Sequence, residues 1–352
     1  MERNQYFREL VALPSPSLKE GPVASYIKKR MRSFGYSIKE DSTGNIICFR
    51  GQPERRILLS GHMDTVPPAV GAVMLEDNEK YYTDGTTALG ADDKCALAVM
   101  LEKAEHHRKD NIAFLFTVAE EIGLYGSKHM DAGLLSGLGI GSAYVLDAEK
   151  HVGAIINEAA GKSRIRVTVR GKSAHAGFNP ENGSSAIVIA ARIISEMPHG
   201  RIDDRTTLNI GSFISEGPTN IVQDRAEFIF EIRCLSDELR HSVIEGIKQM
   251  ADKTAESLGG TVSFDAEELY SHFRIPADSL AVAEAADALR KAGIEPMLQS
   301  SMGGSDANNL NMMGIETVVV SSGYFNAHSR SEYLDKSEFS ALAAFADAIS
   351  DF

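Results

Sequence analysis

The amino-acid sequence predicts an α/β protein in which a mixed, largely parallel sheet is covered by helices and a second, α+β domain is inserted. One observation is that uniformly apolar, strand-like runs alternate with helical segments up to about residue 160, as in parallel sheets with both faces buried. Another is that segment 164–169 alternates between polar and apolar residues, which indicates a sheet with one solvated face. We therefore expect one domain at residues 1–160 and 270–352 and an inserted domain at residues 161–269.

The elements before residue 160 follow from apolar runs and from the residues that end them. Proline cannot continue a helix, and glycine favours the end of one, so these residues separate the segments. The Asp-Ser-Thr-Gly sequence at 41–44 is typical of a hairpin turn, and Pro67 and Pro68 are expected to exclude regular structure. We predict helices at 2–11 and 20–34, strands at 37–40, 45–49 and 56–60, a helix after Asp93, and strands at 112–118 and 143–146.

The inserted domain has a recognisable order of elements. We predict a strand at 164–169, a helix at 184–197, strands at 207–214 and 226–233, a helix at 237–258 and a strand at 261–265. This β-α-β-β-α-β order is the split βαβ pattern of a ferredoxin-like module. The earlier pattern then returns, with helices at 279–292, from 305 and at 336–350, and a strand at 316–320.

Composition and charge restrict the expected partners and compartment. The net charge of -13 and the absence of a dense Lys/Arg run argue against nucleic acid or an anionic membrane as the main partner. No segment approaches the roughly 18 apolar residues of a membrane span, and the N-terminus lacks an apolar signal segment. Cys48, Cys95 and Cys234 are expected to be small buried thiols, which fits a reducing compartment. We expect a cytoplasmic protein.

Potential metal ligands follow the ends of several predicted strands. In TVAEEIG, at residues 117–123, Glu120 and Glu121 follow a buried strand; in an extended segment one would hold a metal while the other faces a substrate water. Adjacent glutamates alone are more often a solvated surface pair. Because sites gather beyond the carboxyl ends of parallel strands, we expect these glutamates to meet other groups there. The other groups are His62, Asp92, Asp147 and His328.

The number of these groups favours two metal ions. Two imidazoles and three carboxylates are too many for one tetrahedral zinc, but they fit two ions that share a bridging carboxylate and activate a water. Glu120, left out of coordination, would accept the proton of that water and pass it to the leaving amine. Asp64 is spaced to hold the outer nitrogen of His62, the alternative being an aspartate that forms a turn. Capping of the following helix is the alternative for Asp92 or Asp93.

Six motifs in chain order resemble the M20 family of dinuclear zinc peptidases and amidohydrolases, and are closest in style to its peptidase T-like tripeptidases. They are SGHMDTVPP, GADDKCALAV, TVAEEIGLYGS, VLDAE, GKSAHAG and FNAHSRSEYL. The resemblance implies a catalytic domain that binds two Zn²⁺, with Co²⁺ or Mn²⁺ as substitutes, and an inserted lid that also forms a dimer interface. No HExxH or G-x-S-x-G motif supports a zincin or serine-hydrolase mechanism instead.

The resemblance also implies a role for each ligand. Asp92 bridges the two ions, with Asp93 as the alternative. His62 and Asp147 complete one zinc site, and Glu121 and His328 complete the other. In the same comparison Glu120 is the general base and Asp64 is the partner of His62.

Three residues of the inserted domain match functional positions of the family. His175 matches a histidine that, in dimeric members, reaches the neighbouring subunit's site and stabilises the oxyanion, while Asn220 and Arg233 match contacts to a substrate carboxylate. From the residues alone, structural roles are the commoner explanation for an isolated histidine and for an arginine at a strand end. The segment EGPTNIVQ before and around Asn220 departs from the glycine-rich sequence that is commoner in the family.

These observations lead to one main functional prediction and three alternatives. We expect a metal-dependent peptidase that cleaves short peptides like a tripeptide aminopeptidase and forms a homodimer through the lid. An N-acyl-amino-acid amidohydrolase is the first alternative, because the same site cleaves other small secondary amides. Another dipeptidase or carboxypeptidase of the family is the second. The third is a catalytically inactive, peptide-binding relative.

Overall fold

The structure, a computed structural model, describes residues 2–131 and 133–352. It divides the chain into two compact units. The first unit contains the residues up to 158 together with 273–301 and 305–352, and the second contains 159–272 and 302–304. None of the described helices combines the length and the apolar character that crossing a membrane requires.

The elements are numbered here in chain order. The helices are α1 (Arg3–Val11), α2 (Gly21–Ser33), α3 (Ala91–His106), α4 (Tyr125–Lys128), α5 (Ala186–Glu196), α6 (Asp237–Ser257), α7 (Leu280–Lys291), α8 (Asp306–Met312) and α9 (Lys336–Ile349). The strands are β1 (Ser37–Glu40), β2 (Ile46–Phe49), β3 (Arg56–His62), β4 (Leu75–Glu76), β5 (Lys80–Tyr82), β6 (Ile112–Thr117), β7 (Ile140–Val145), β8 (Ala154–Ala159), β9 (Gly161–Arg170), β10 (Gly200–Asp203), β11 (Thr206–Ile214), β12 (Arg225–Cys234), β13 (Thr261–Tyr270), β14 (Phe273–Arg274), β15 (Met297–Ser301), β16 (Thr317–Val320), β17 (Tyr324–Phe325) and β18 (Tyr333–Asp335).

The first unit is built on a sheet with the strand order β1-β2-β6-β3-β7-β16-β8-β14, and β15 pairs with β8. Its central strands are parallel, since β3 pairs with β6 and β7, and β7 pairs with β16, in that sense. Every residue of β3 and β6 is buried, as their uniformly apolar sequences predict. The carboxyl ends of these parallel strands therefore lie at one edge of the sheet.

Helix α3 packs between the sheet and other helices of the first unit. It contacts β3 on one side and α1 and α9 on others, and residues 91–101 are all buried. Its alanines allow this close approach because they add little volume around the helix axis. The start of α3 is therefore fixed against the edge of the sheet where β3 ends.

The second unit is a five-stranded antiparallel sheet with the order β10-β11-β12-β9-β13, packed against α5 and α6. Without β10, its elements follow the β-α-β-β-α-β order predicted from the sequence. Ile165, Val167 and Val169 alternate along β9 and are fully buried, which explains the alternating pattern. The predicted α/β fold with an inserted ferredoxin-like α+β module is confirmed.

Several details differ from the sequence-based expectation. Strand β3 has ended at His62 before Pro67 and Pro68, which begin a single 3-10 turn that ends at Ala69 and was not predicted; the φ angle of proline is compatible with such a turn. Strand β13 continues to Tyr270 instead of ending at residue 265. Eight strands were not predicted, and all of them are six residues or shorter: β4, β5, β8, β10, β14, β15, β17 and β18.

Candidate metal centre

The five predicted ligands meet at one edge of the first unit's sheet. Among the described residues, two groups can each hold a metal ion, and within each group the ligand atoms lie within 4.8 Å of one another. The groups are His62, Asp92 and Asp147, and Asp92, Glu121 and His328. His62 is the last residue of β3, and the other ligands lie in loops that follow strands or at the start of α3. The structure therefore brings together all five residues, with Asp92 common to both groups.

Asp92 lies between the two histidines. Its Oδ1 is 3.0 Å from His62 Nε2, and its Oδ2 is 3.2 Å from His328 Nε2. Glu121 Oε2 is 2.9 Å from the same His328 nitrogen, and Asp147 Oδ1 is 3.9 Å from His62 Nε2. A bridging carboxylate that offers one oxygen to each of two ions needs this arrangement.

Neither Asp92 nor Asp93 caps α3. The N-cap position belongs to Gly90, whose φ of +71° is in the left-handed region that glycine adopts without strain, and no side chain caps the helix there. Asp93 belongs to neither ligand group, and its Oδ2 accepts a hydrogen bond of 3.1 Å from the backbone N–H of His62. Of the two adjacent aspartates, the geometry thus favours Asp92 over Asp93 as the ligand that could bridge two ions.

Glu120 and Glu121 lie in a turn beyond β6, so the expectation that they occupy an extended segment is wrong. Ala119 has a φ of +52°, which turns the chain out of the strand direction. The turn keeps its shape because the backbone N–H groups of residues 118–121 all donate to side chains. The acceptors are Asn45 for Val118, Glu20 for Ala119, and the two carboxylate oxygens of Asp64 for Glu120 and Glu121, at 2.9 to 3.2 Å.

Asp64 contacts His62 but also supports the turn. The shorter contact, 2.9 Å, joins His62 Nδ1 to the backbone oxygen of Asp64, and the carboxylate oxygen Oδ1 is 3.4 Å away. A carbonyl oxygen can only accept, so Nδ1 of His62 carries the hydrogen and Nε2 is left to bind a metal. Sequence spacing indicated the contact with His62 but gave no signal for the bonds to Glu120 and Glu121.

Several buried carboxylates lie close together in the site, and burial and mutual repulsion shift their pKa values. Burial, reinforced by the charge of Asp147, raises the pKa of Glu120 well above its usual value, and burial together with Asp92 does the same to Asp147. Hydrogen bonds to Asp92 and Glu121 raise the pKa of His328 to about 10. Burial would lower the pKa of His62, but contacts with Asp64 and Asp92 raise it well above its ordinary value. Without cations, the cluster holds protons instead.

The donor set fits divalent metal ions. Glu121 Oε1 is buried and has no hydrogen-bond partner among residues 2–131 and 133–352, so it lacks the partner that burial normally requires. In neutral His62, Nε2 carries no hydrogen and lies 3.0 Å from a carboxylate oxygen of Asp92, so either a metal ion or an added proton is needed between the two atoms. Imidazole and carboxylate ligands suit Zn²⁺, and carboxylate-rich sites also take Mn²⁺.

Three further residues contact the ligands or the end of the strand beside them, and they were not identified from the sequence as parts of the site. Glu332 accepts hydrogen bonds from the backbone N–H groups of Gly90 and Asp92. The hydroxyl of Tyr324 donates to Asp147 Oδ1 at 3.0 Å. Asp306, buried at the start of α8, accepts from the Thr117 hydroxyl. Glu332 lies within the motif FNAHSRSEYL, but the motif alone does not show which backbone the residue contacts.

The three predicted functional residues of the inserted domain lie in the second unit. His175 and Asn220 are exposed and lie on neighbouring segments, because His175 pairs with Ile221 and Ala176 N–H donates to the Asn220 oxygen. The His175 ring lies 4.3 Å from that of Phe178. Arg233 is on β12, where its Nε donates to Glu231 at 3.1 Å. His175 and Asn220 are thus adjacent.

Comparison with protein-family models gives the class of the protein. Residues 58–350 match the model of Peptidase family M20/M25/M40. The chain belongs to this family, and it is a metal-dependent hydrolase of peptide bonds.

Individual relatives extend over nearly the whole chain. The chain is 37% identical to the uncharacterized protein YqjE of Bacillus subtilis strain 168, over 97% of this chain and 96% of that protein. It is 34% identical to the aminopeptidase PepT of Bacillus cereus, with a TM-score of 0.90, and 33% identical to a tripeptidase of Staphylococcus aureus, with a TM-score of 0.94. Both structural matches cover 99% of this chain and 97% of the other.

The raised histidine pKa values predict that metal binding releases protons. The raised pKa values favour the protonated form of His62 and of His328 in the metal-free protein, and a histidine that binds a metal must be neutral, so loading with Zn²⁺ should release protons. The apparent affinity should therefore increase as the pH rises. Titration calorimetry in buffers with different ionisation enthalpies measures the number released. The variant His328→Ala keeps only the ligand group of His62, so it should bind less Zn²⁺ and release fewer protons. Binding of Zn²⁺ by the parent protein without proton release would contradict the prediction.

Proposed function

We propose that the chain is an aminopeptidase of short peptides, with tripeptides as its main substrates, and that it works with two divalent ions. The observation that carries the proposal is the pair of ligand groups that share Asp92 and have Glu120 beside them. His62 and Asp147 would hold one ion, Glu121 and His328 the other, and Asp92 both. When bound, the ions supply an activated water as the nucleophile for hydrolysis of the amide.

Glu120 is suited to move protons in this reaction. It belongs to neither ligand group, although its neighbour Glu121 does, and its backbone is fixed by Asp64. Burial and the charge of Asp147 raise its pKa well above the usual value of a glutamate, and a raised pKa makes a carboxylate a stronger proton acceptor. We assign to Glu120 the removal of a proton from the attacking water and its delivery to the amine of the leaving group.

Similarity to solved enzymes supports the substrate class. The two structural relatives are an aminopeptidase PepT and a tripeptidase, and both match nearly all of this chain at 33–34% identity. The ligand groups alone would serve any small secondary amide, so the assignment of tripeptides depends on these relatives. The free, buried cysteines are compatible with a reducing, cytoplasmic location.

For the second unit we propose a role as lid and dimerisation domain. His175 would stabilise the oxyanion in the site of the partner subunit of a homodimer, and Asn220 and Arg233 would bind the carboxylate of the substrate. Support comes from the exposure of His175 and Asn220 on adjacent segments, since side chains that serve a second molecule must be accessible.

The variant Glu120→Gln should separate proton transfer from metal binding. Because an amide cannot accept the proton of water, kcat should fall by roughly 100-fold or more while two metal equivalents remain bound. Glu121→Gln and His328→Ala remove ligands and should lose metal instead. Steady-state kinetics with elemental analysis of each variant checks both results. Activity of Glu120→Gln within a few-fold of the parent enzyme would exclude Glu120 as the general base.

A panel of substrates tests the substrate class. Tripeptides with a free amino terminus should be cleaved to one amino acid and a dipeptide, and N-acetylated tripeptides and N-acetyl amino acids should be much poorer substrates. Chromatography of the products gives the bond that is cleaved. The Glu120→Gln variant serves as the control for contaminating peptidases. Turnover of the acyl compounds alone would show an amidohydrolase, and tight peptide binding without turnover would show an inactive relative.

The role of His175 can be tested with mixed dimers. The variant His175→Ala should lower turnover without a change in metal content. When it is co-expressed with Glu120→Gln, a mixed dimer contains one site with both groups, so about a quarter of the sites should regain activity. Each variant expressed alone is the control. Absence of any recovery, with mixed dimers demonstrated by mass spectrometry, would exclude a contribution across the dimer.

A further inference from the structure

We propose that Glu332 is a positioning residue that joins the backbone of Asp92 to the turn carrying His328, and so sets the geometry of the second ligand group. The inference rests on the proposed two-metal function, because it concerns how that centre is held. Glu332 is itself in neither ligand group. Glu332 therefore takes no direct part in metal binding or in the proton transfer assigned to Glu120.

The contacts of Glu332 occupy both of its carboxylate oxygens. Oε2 accepts from the Gly90 N–H at 2.7 Å, and Oε1 accepts from the Asp92 N–H at 3.0 Å. The residue is 2% exposed, so water does not replace these bonds. A carboxylate that accepts two backbone N–H groups in a buried place forms strong, charge-assisted hydrogen bonds. Glu332 thereby fixes the short segment from which Asp92 projects.

Glu332 also belongs to the turn that carries His328. Within this turn the N–H of Ser329 donates to the Asn326 oxygen at 3.3 Å, and the N–H of Glu332 donates to the Ser329 oxygen at 3.1 Å. His328 itself has a φ of +63°, a conformation that a residue with a side chain adopts only when its surroundings hold it. The backbone around His328 is thus connected through four residues to the carboxylate that holds Asp92.

This connection differs from the other supports of the centre. Asp93 accepts from the backbone of His62, and Asp64 accepts from the backbones of Glu120 and Glu121. Each of those carboxylates holds the backbone of a ligand, or of Glu120, from another part of the chain. Asp93 thereby joins its neighbour Asp92 to His62 of the first group, whereas Glu332 joins Asp92 to His328 of the second group, more than 200 residues away in sequence. Loss of its contacts should therefore affect the group Asp92, Glu121 and His328 first.

The variant Glu332→Gln removes this function with little change in shape. A glutamine amide has one acceptor oxygen, and its NH₂ group would face one of the two backbone N–H donors. Partners of metal ligands contribute roughly 10- to 100-fold to metal affinity, so we expect binding of the second Co²⁺ to weaken by that factor. The visible spectrum of Co²⁺ should change as well, because it reports ligand geometry. A role in folding alone would alter neither.

Glu284→Gln is the matched control. Glu284 is 5% exposed, and its carboxylate accepts from the Tyr144 hydroxyl and from Arg55, side chains that are not ligands. This variant makes the same change of carboxylate to amide in a buried position. It should bind two Co²⁺ with the affinity and spectrum of the parent protein, even if its thermal stability is lower.

The possible results distinguish this inference from the proposed function. If the parent protein does not bind two ions, the two-metal function fails. If the parent binds two and Glu332→Gln binds both with unchanged affinity and spectrum, the role of Glu332 is overturned and the function stands. If Glu332→Gln does not fold, Glu332→Asp, which is too short to reach both N–H groups, is measured in the same way. Binding like the parent in that variant, or failure of both variants to fold, overturns the assignment.

Discussion

Repulsion among buried carboxylates is the constraint on which the arrangement of this site depends. Asp92, Glu121 and Asp147 lie together with Glu120 at one edge of a sheet, and two unit charges 4 Å apart interact by about 4 kcal/mol even at an effective dielectric constant of 20. The folded protein cannot keep several of these carboxylates ionised so close together unless protons or cations offset their charge. The raised pKa values of Glu120 and Asp147 indicate that protons offset part of the negative charge when no metal is bound. Divalent ions would also offset it, and the ligand geometry fits them.

The scaffold positions the ligands through other buried carboxylates, which accept hydrogen bonds from backbone N–H groups. Asp64, Asp93 and Glu332 do not belong to the ligand groups, yet each carboxylate is buried and accepts from the backbone of a ligand or of its neighbour. An N–H group stabilises a carboxylate without adding a competing positive charge to the centre. The buried parallel strands β3, β6 and β7 then keep the loops that carry the ligands at a fixed separation.

The sequence predicts the ligands better than it predicts their supports. Asp147 and His62 were found because an apolar strand precedes each of them, and strand periodicity is a local signal. Glu20, which holds the turn of Glu120 and Glu121 from 99 residues away, leaves no such signal, because its partner is a backbone N–H group present at every non-proline position. The extended conformation expected for the two glutamates was wrong for a related reason. Tertiary hydrogen bonds, and not local preference, stabilise the positive φ of Ala119.

The two ligand groups differ in their access to solvent, and this difference bears on where a substrate approaches. The side chains of His62, Asp92 and Asp147 are at most 10% exposed, whereas that of His328 is 51% exposed. A catalytic metal site must keep a position open for water or substrate, and a site closed on all sides serves structure instead. The exposed ligand of this centre is His328. We therefore expect a substrate to approach on the side of His328, while His62 and Asp147 lie on the buried side of Asp92.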